Sequence, residues 1–253
     1  MASTEQAVGA HASTLQEMAR RHLWMHFTRL SAYEQVEIPI IVRGEGCYVW
    51  DEHGNRYLDG LSAMFCVNIG HGRADVAQAG ADQARELGFF TNWSYAHPPA
   101  IELATKIASL APGDLNRVFF TSGGSEAVES ALKLARQFFK LTGHPNKTKV
   151  IAREIAYHGT SLGALSATGI TALRQPFEPL TPGGVHVPNT NTYRLPFGIS
   201  ESELVETIAE KIEFEGPDTV AAFIAEPVMG AGGVIVPPRR FEVLRIASPM
   251  GPL

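Results

Sequence analysis

The residues best placed to do chemistry lie in Arg117-Val-Phe-Phe-Thr-Ser-Gly-Gly-Ser-Glu-Ala-Val-Glu-Ser-Ala-Leu-Lys-Leu-Ala-Arg136. The segment reads as a short apolar strand, a glycine turn and the first turns of an amphipathic helix. A helix start presents backbone N–H groups with no intrahelical partner together with the positive end of the helix dipole, which makes it an anion site. Gly123 and Gly124 let a ligand approach the backbone closely, and the Ser125 hydroxyl is suited to cap the helix or to meet a phosphate oxygen. The pattern is neither a Walker motif, since no Gly-Lys-Ser/Thr follows, nor a dinucleotide fingerprint, since the glycine spacing differs. The chemistry it proposes is the binding of a phosphorylated ligand.

The elements that must position this turn follow from the spacing of apolar residues. Ala127, Ala131, Leu134, Ala135 and Phe138 recur at helical intervals and are expected to seat the helix on a sheet, with Gly143 as its stop. Further helices are expected over Asp75–Leu87, Pro98–Leu110, roughly Thr160–Thr168, and Ser200–Glu213, and a weaker helical pattern runs from Leu15 to Arg29. The Ser200 helix opens with a capping box, Ser200 and Glu203, and carries Leu204, Ile208 and Ile212 on one face. Strands are expected at Arg117–Thr121, Lys149–Arg153 and Thr219–Ala225, and a β-hairpin at Gly46–Asp51 and Arg56–Asp59 around Glu52-His-Gly-Asn55. Strands separated by helices imply right-handed crossovers and a mainly parallel sheet, in which ligands gather beyond the C-terminal strand ends. The Gly123 turn, the Tyr157 loop and Glu226 all fall at such ends. Tyr157 there is either a stacking surface for a flat ring or a packed loop residue. Glu226 is either a functional carboxylate or half of a structural ion pair.

The chain has 253 residues, is 45% hydrophobic and 19% charged, and carries a net charge of -5, so it can bury a substantial core. Acids and bases are interspersed, which gives no basic face for nucleic acid or an anionic membrane. Met1–Arg20 lacks the apolar core of a signal peptide and no later run is long enough to span a bilayer. With only Cys47 and Cys66, a reducing cytoplasm is the expected compartment. Cys66 is read as core packing, the acidic run around Glu201–Glu215 as a solvated helix face, and His22 and His26 as lacking the third ligand of a zinc site.

Taken together, Gly46-Cys-Tyr-Val-Trp-Asp51, Asp59-Gly60, Phe65-Cys-Val-Asn-Ile-Gly-His-Gly72, Phe120-Thr-Ser-Gly-Gly-Ser-Glu-Ala127, Tyr157-His-Gly159 and Glu226-Pro-Val-Met-Gly-Ala-Gly-Gly233 resemble the class III aminotransferases. The likeness is nearest to the subgroup that acts on ω-amino acids and amines with pyruvate as acceptor, and it runs from about His22 to Pro238. It implies an α/β, aspartate aminotransferase-like architecture (fold type I): a pyridoxal-phosphate-binding large domain with a mainly parallel sheet over 61–238, incomplete here. The N-terminal segment and part of a small domain would occupy 1–60, and an atypical tail 239–253. It implies a pyridoxal 5'-phosphate cofactor, with Gly123, Gly124 and Ser125 at its phosphate (Gly123 standing where relatives often have Ser), Tyr157 stacked on its ring beside His158, and Glu226 near its polar edge. Phe65 falls where relatives often carry a Trp in the substrate pocket, and Phe27, Phe89, Phe90 and Thr160 match neighbouring pocket positions. The partners implied are a small-molecule amine donor and keto-acid acceptor, and a second copy of the chain in a homodimer.

The same resemblance implies a Schiff-base lysine and a pyridine-binding Asp beyond the Glu226 motif. The lysines of this chain are Lys106, Lys133, Lys140, Lys147, Lys149 and Lys211, none in a matching context, and Arg239–Leu253 departs from the pattern of relatives. The expectation is that the 253-residue chain alone does not transaminate. Purified chain supplied with pyridoxal phosphate should convert no pyruvate to alanine above a cofactor-only control, and turnover above that control overturns the expectation. Two other functions fit the turn: an aminomutase or racemase of the same fold, and a non-catalytic remnant that dimerises or binds a phosphorylated ligand.

Overall fold

The structure is a computed structural model describing residues 15–34, 36–194 and 200–238; the expected tail at 239–253 lies outside them, as do residues 1–14. It divides into two compact units, Met1–Lys106 and Ile107–Leu253.

In the first unit, residues 15–22 form helix α1, which stops well short of Arg29. Gln16 ties it to the following chain, donating to Ile38 O at 2.7 Å and accepting from Ile38 N–H at 3.0 Å. The hairpin forms where Gly54 and Asn55 predict it. Strand β2 (Tyr48–Asp51) pairs antiparallel with β3 (Arg56–Leu58), and with a preceding strand, β1 (Ile41–Glu45), that the sequence pattern did not announce. The turn is held by Asp51. Its carboxylate accepts from the N–H groups of His53 and Asn55, the Asn55 side-chain amide and the Tyr57 hydroxyl. The Tyr57 bond above all, against the opposing effect of burial and with help from the Asn55 and His53 donors, pushes the Asp51 carboxyl down to about 2. Beyond β3, Ser62–Phe65 is a left-handed turn with φ of 48, 47, 58 and 68°. It leads to His71, whose Nε2 lies 2.8 Å from Asp59 Oδ2. Cys66 in this stretch is exposed, not packed in a core; its neighbours Met64 and Phe65 are exposed as well, so apolar composition here does not mark a buried segment. Helix α2 (Ala74–Leu87) matches its expected span, as does α3 (Pro98–Leu110), within which the division between units falls.

The second unit is built on a three-stranded parallel sheet with β4 (Lys149–Arg153) at its centre, flanked by β5 (Gly184–Val187) and β6 (Val220–Phe223). Four of the five β4 residues are buried, and its apolar centre, Val150–Ala152, lies between Lys149 and Arg153. Strand β5 escaped the sequence reading because Gly-Val-His-Val is too short to show alternation. Helix α4 (Gly124–Leu141) precedes the sheet. Helix α5 (Leu162–Ala167) lies between β4 and β5 in the chain, and α6 (Glu201–Glu215) between β5 and β6. The capping box of α6 forms as expected, with Ser200 Oγ accepting from Glu203 N–H. Its Leu204 and Ile208 are buried; Ile208 packs with Ile151, Val187 and Val220, and Ile212 and Phe223 cover that cluster.

Two expectations fail in this unit. Arg117–Thr121 is not a strand: among the described residues nothing pairs with it, and Phe119 is 80% exposed. Apolar, β-prone composition supplies the propensity, but a strand exists only with a neighbour to bond. The buried face of α4 is also the adjacent one. Ala127, Ala131, Leu134 and Phe138 are exposed, while Leu132 is buried and Val128, Ala135 and Phe139 are partly so. Both stripes satisfy helical spacing. The choice is made by the polar residues that share the inward stripe: Glu129, engaged by α5, and Arg136, whose Nε donates to Thr148 O at 3.0 Å.

Candidate functional site

Gly123 is the extended residue preceding α4, and Ala127 N–H makes the first helix-ladder bond, to Gly123 O at 3.0 Å. The amides of Gly124, Ser125 and Glu126 therefore stand ahead of the ladder. A Cβ added at Gly123 or Gly124 meets nothing within 4 Å, so these glycines leave open space in front of the helix. Glu126 turns back, its carboxylate accepting from Ser122 N–H at 2.9 Å.

The loop after β4 crosses this helix start. Thr160 N–H donates to Ser125 Oγ at 3.0 Å. A hydroxyl that accepts there keeps its own hydrogen to donate elsewhere. The crossing is close enough to require Gly159: its φ is +123°, and a Cβ would come 2.5 Å from Ser125 Oγ and 3.0 Å from Ser125 Cα. The same loop is fixed from the other side by Glu226, three residues past β6. Its Oε1 accepts from Tyr157 N–H at 2.9 Å and its Oε2 from Gly230 N–H at 2.8 Å. Beneath lies Arg153, the last residue of β4 and fully buried, donating to Thr190 Oγ1 at 2.7 Å and to the Glu226 carbonyl oxygen.

His158 is 7% exposed; its N–H donates to Thr168 Oγ1 at 2.9 Å, and its Nε2 has no hydrogen-bond partner among the described residues. Burial holds this imidazole below its ordinary range; the Glu226 charge opposes that, while Arg153 and His186 add to it. His186 is depressed likewise, first by burial and then by Arg174. With both values depressed, the folded chain binds fewer protons than the unfolded chain below about pH 6.5. Stability is thus full above about pH 6.5 and falls as pH drops through the two depressed values. Proton NMR of the imidazoles should show both rings still neutral where exposed histidines are half-protonated; titration of either ring at or above the exposed value contradicts this.

The structure therefore gathers Ser125 with Thr160, and Tyr157 with Glu226, around the turn at Gly123 and Gly124, with His158 buried in the same loop. Phe27, Phe65, Phe89 and Phe90 belong to the other unit, where all are exposed; Phe90 meets Tyr95 edge-on at 5.1 Å, and Phe27 and Phe65 have left-handed φ of 51° and 68°. Three residues that hold the loop were not singled out from the sequence as site residues: Glu129, Arg153 and Gly159. Arg153 was legible in principle, as a charge directly after the apolar run Val150–Ala152.

The donor set suits a phosphorylated cofactor: three helix-start amides, a hydroxyl with its hydrogen left to donate, open space before two glycines, and a buried ring nitrogen without a partner among the described residues. Comparison with known proteins gives that chemistry a family. The family model "aminotransferase class-III" matches residues 31–246. A probable aminotransferase of Mycobacterium tuberculosis is 56% identical, covering 92% of this chain and 51% of that protein. A putrescine–pyruvate aminotransferase of Pseudomonas aeruginosa is 40% identical over 92% of this chain and 52% of its own length. Among solved structures, the ω-transaminase of Pseudomonas jessenii in complex with PMP is 36% identical with a TM-score of 0.86, covering 90% of this chain and 52% of that one. The chain thus spans about half the length of the relatives it matches, and within that span its α/β fold is that of the fold type I transaminases. On a match covering most of its residues, this chain belongs to the class-III aminotransferase family.

Proposed function

We propose that this chain forms the cofactor-phosphate side of a transaminase that moves an amino group from an amine or ω-amino acid to a keto acid such as pyruvate. The observation that carries the reading is the start of α4, where three amides ahead of the helix ladder and the Ser125 hydroxyl stand beside space that Gly123 and Gly124 leave open. Family membership and the putrescine–pyruvate and PMP-bound relatives support it. Bound there, pyridoxal phosphate supplies an electron sink for amino-group transfer.

The chain's own residues then bind and orient. The Gly123–Ser125 turn holds the phosphate against the positive helix end. Tyr157 lies along the ring, in a loop whose height is set by Glu226. His158, kept neutral, offers its Nε2 as a hydrogen-bonding group. Phe27, Phe65, Phe89, Phe90 and Thr160 are proposed as substrate contacts on the family resemblance alone. So are the homodimer, the cytoplasmic compartment and the division into 1–60, 61–238 and 239–253. Among the described residues no helix is long and apolar enough to cross a membrane.

Titration of pyridoxal phosphate into the purified chain, followed by absorbance and by 31P NMR, tests the reading. Saturable binding that inorganic phosphate displaces is expected, weakened several-fold by Ser125→Ala. Binding that phosphate does not displace, or none at all, overturns it.

A further inference from the structure

Glu129 stands one turn above Ser125 on the same face of α4, and both reach the same piece of chain. Ser125 Oγ takes Thr160 N–H at 3.0 Å, and Glu129 Oε1 takes the Ser161 hydroxyl at 2.7 Å, Gly163 N–H at 2.8 Å and Ala164 N–H at 3.2 Å. Ser161 precedes α5 but makes no side-chain cap of its own. The amides it would satisfy are taken by a carboxylate from another helix, 34 and 35 residues away in sequence. The fit is tight, for a Cβ at Gly163 would overlap that carboxylate. Lys133, the next turn along α4, is the charged neighbour. Burial raises the Glu129 carboxyl, but the Ser161, Ala164 and Gly163 donors together outweigh it and leave the group below its usual range, hence ionised at neutral pH.

We propose that Glu129 is a positioning residue for the cofactor phosphate: its carboxylate clamps Ser161–Ala164 onto α4, which keeps Thr160 N–H on Ser125 Oγ and so turns the Ser125 hydrogen toward the ligand. The proposal rests on the cofactor reading above. A serine hydroxyl alone rotates freely and donates to the solvent or to its own helix as readily as to a ligand. One that must accept from a fixed amide has a narrowed range of directions for its hydrogen. The clamp supplies the fixed amide. Tyr157, three residues before Thr160, is carried by the same segment, so ring and phosphate are registered against a single support.

The test titrates pyridoxal 5'-phosphate into the full chain as wild type, Glu129→Gln, Glu129→Ala and Ser161→Ala, with the 31P shift of the bound phosphate and the circular dichroism of the fold recorded for each. Glu129→Ala should weaken binding about tenfold, the scale of one charge-assisted hydrogen bond, and move the 31P shift toward the free value. Glu129→Gln, which keeps an acceptor oxygen, should recover part of both. Ser161→Ala, which removes one of three donors, should show a smaller change in the same direction, and it decides the matter if the Glu129 variants do not fold. Folded variants that bind as wild type with an unchanged 31P shift overturn the proposal and leave the cofactor reading standing. A wild-type chain that binds no pyridoxal phosphate overturns both.

Discussion

Gly124→Asp is expected to abolish cofactor binding while leaving the fold as stable as before or slightly more so. The position is the first residue of an 18-residue helix. Substitutions at helix starts normally report on stability, and an acid there is favourable, by about 0.3–1 kcal/mol, because it meets the positive end of the dipole. Nothing steric opposes it, since a Cβ at Gly124 meets no atom within 4 Å. A protein that used this glycine only for folding would tolerate aspartate well. The cofactor would not. A carboxylate about 4 Å from a phosphate charge at an effective dielectric near 20 costs about 4 kcal/mol, more than two orders of magnitude in affinity, and it competes for the same amides. Gly124→Ala separates the two effects: it adds bulk without charge and should weaken binding far less. The measurements are a thermal midpoint and a pyridoxal-phosphate titration on each variant. Aspartate that binds within a few-fold of wild type would show that the helix start is not the phosphate site, and aspartate that destabilises the fold would overturn the dipole argument.

The contrast between these variants also marks what the sequence made legible. The glycine turn, its helix and the buried strand Lys149–Arg153 could be read because each is local: propensity, spacing and capping chemistry sit within about a dozen residues. The capping box at Ser200 and the turn at Glu52–Asn55 were legible for the same reason. What the sequence did not disclose is pairing at a distance. Arg117–Thr121 has every local mark of a strand, yet no partner among the described residues. Helix α4 has two apolar stripes at the same spacing, and the inward one is fixed by Glu129 and Arg136, whose partners lie on other elements. Glu226 lies beyond its strand end as expected, but neither reading offered for it, a functional carboxylate or half of an ion pair, anticipated that both oxygens would be held by backbone amides. Its role in the structure is to fix the height of the Tyr157 loop. Phe27 and Phe65 came from resemblance alone, and composition carries no signal for the left-handed backbone that each adopts.

Gly159→Ala should destabilise the fold and weaken the site together. The residue sits at φ +123°, where an L side chain is strained by about 1–3 kcal/mol. The new Cβ would also lie 2.5 Å from Ser125 Oγ and 3.0 Å from Ala164 Cβ, an overpacking that adds about 1–3 kcal/mol. The sum, roughly 2–6 kcal/mol, is a large part of the 5–15 kcal/mol by which a domain is usually stable. Relief by local movement has a specific consequence. The loop can lift only by pulling Thr160 N–H away from Ser125 Oγ or Ala164 away from Glu129, so cofactor affinity should fall together with stability. A double-mutant cycle with Ser125→Ala isolates the contact. Removing Oγ takes away the nearest clash but not the backbone strain, so Gly159→Ala should cost at least about 0.5 kcal/mol less in the Ser125→Ala background than in wild type. Urea midpoints measured on the four proteins supply the coupling. Strict additivity would mean that the loop does not rest on Ser125, and the crossing of Gly159 over the helix start would then have no part in holding the site together.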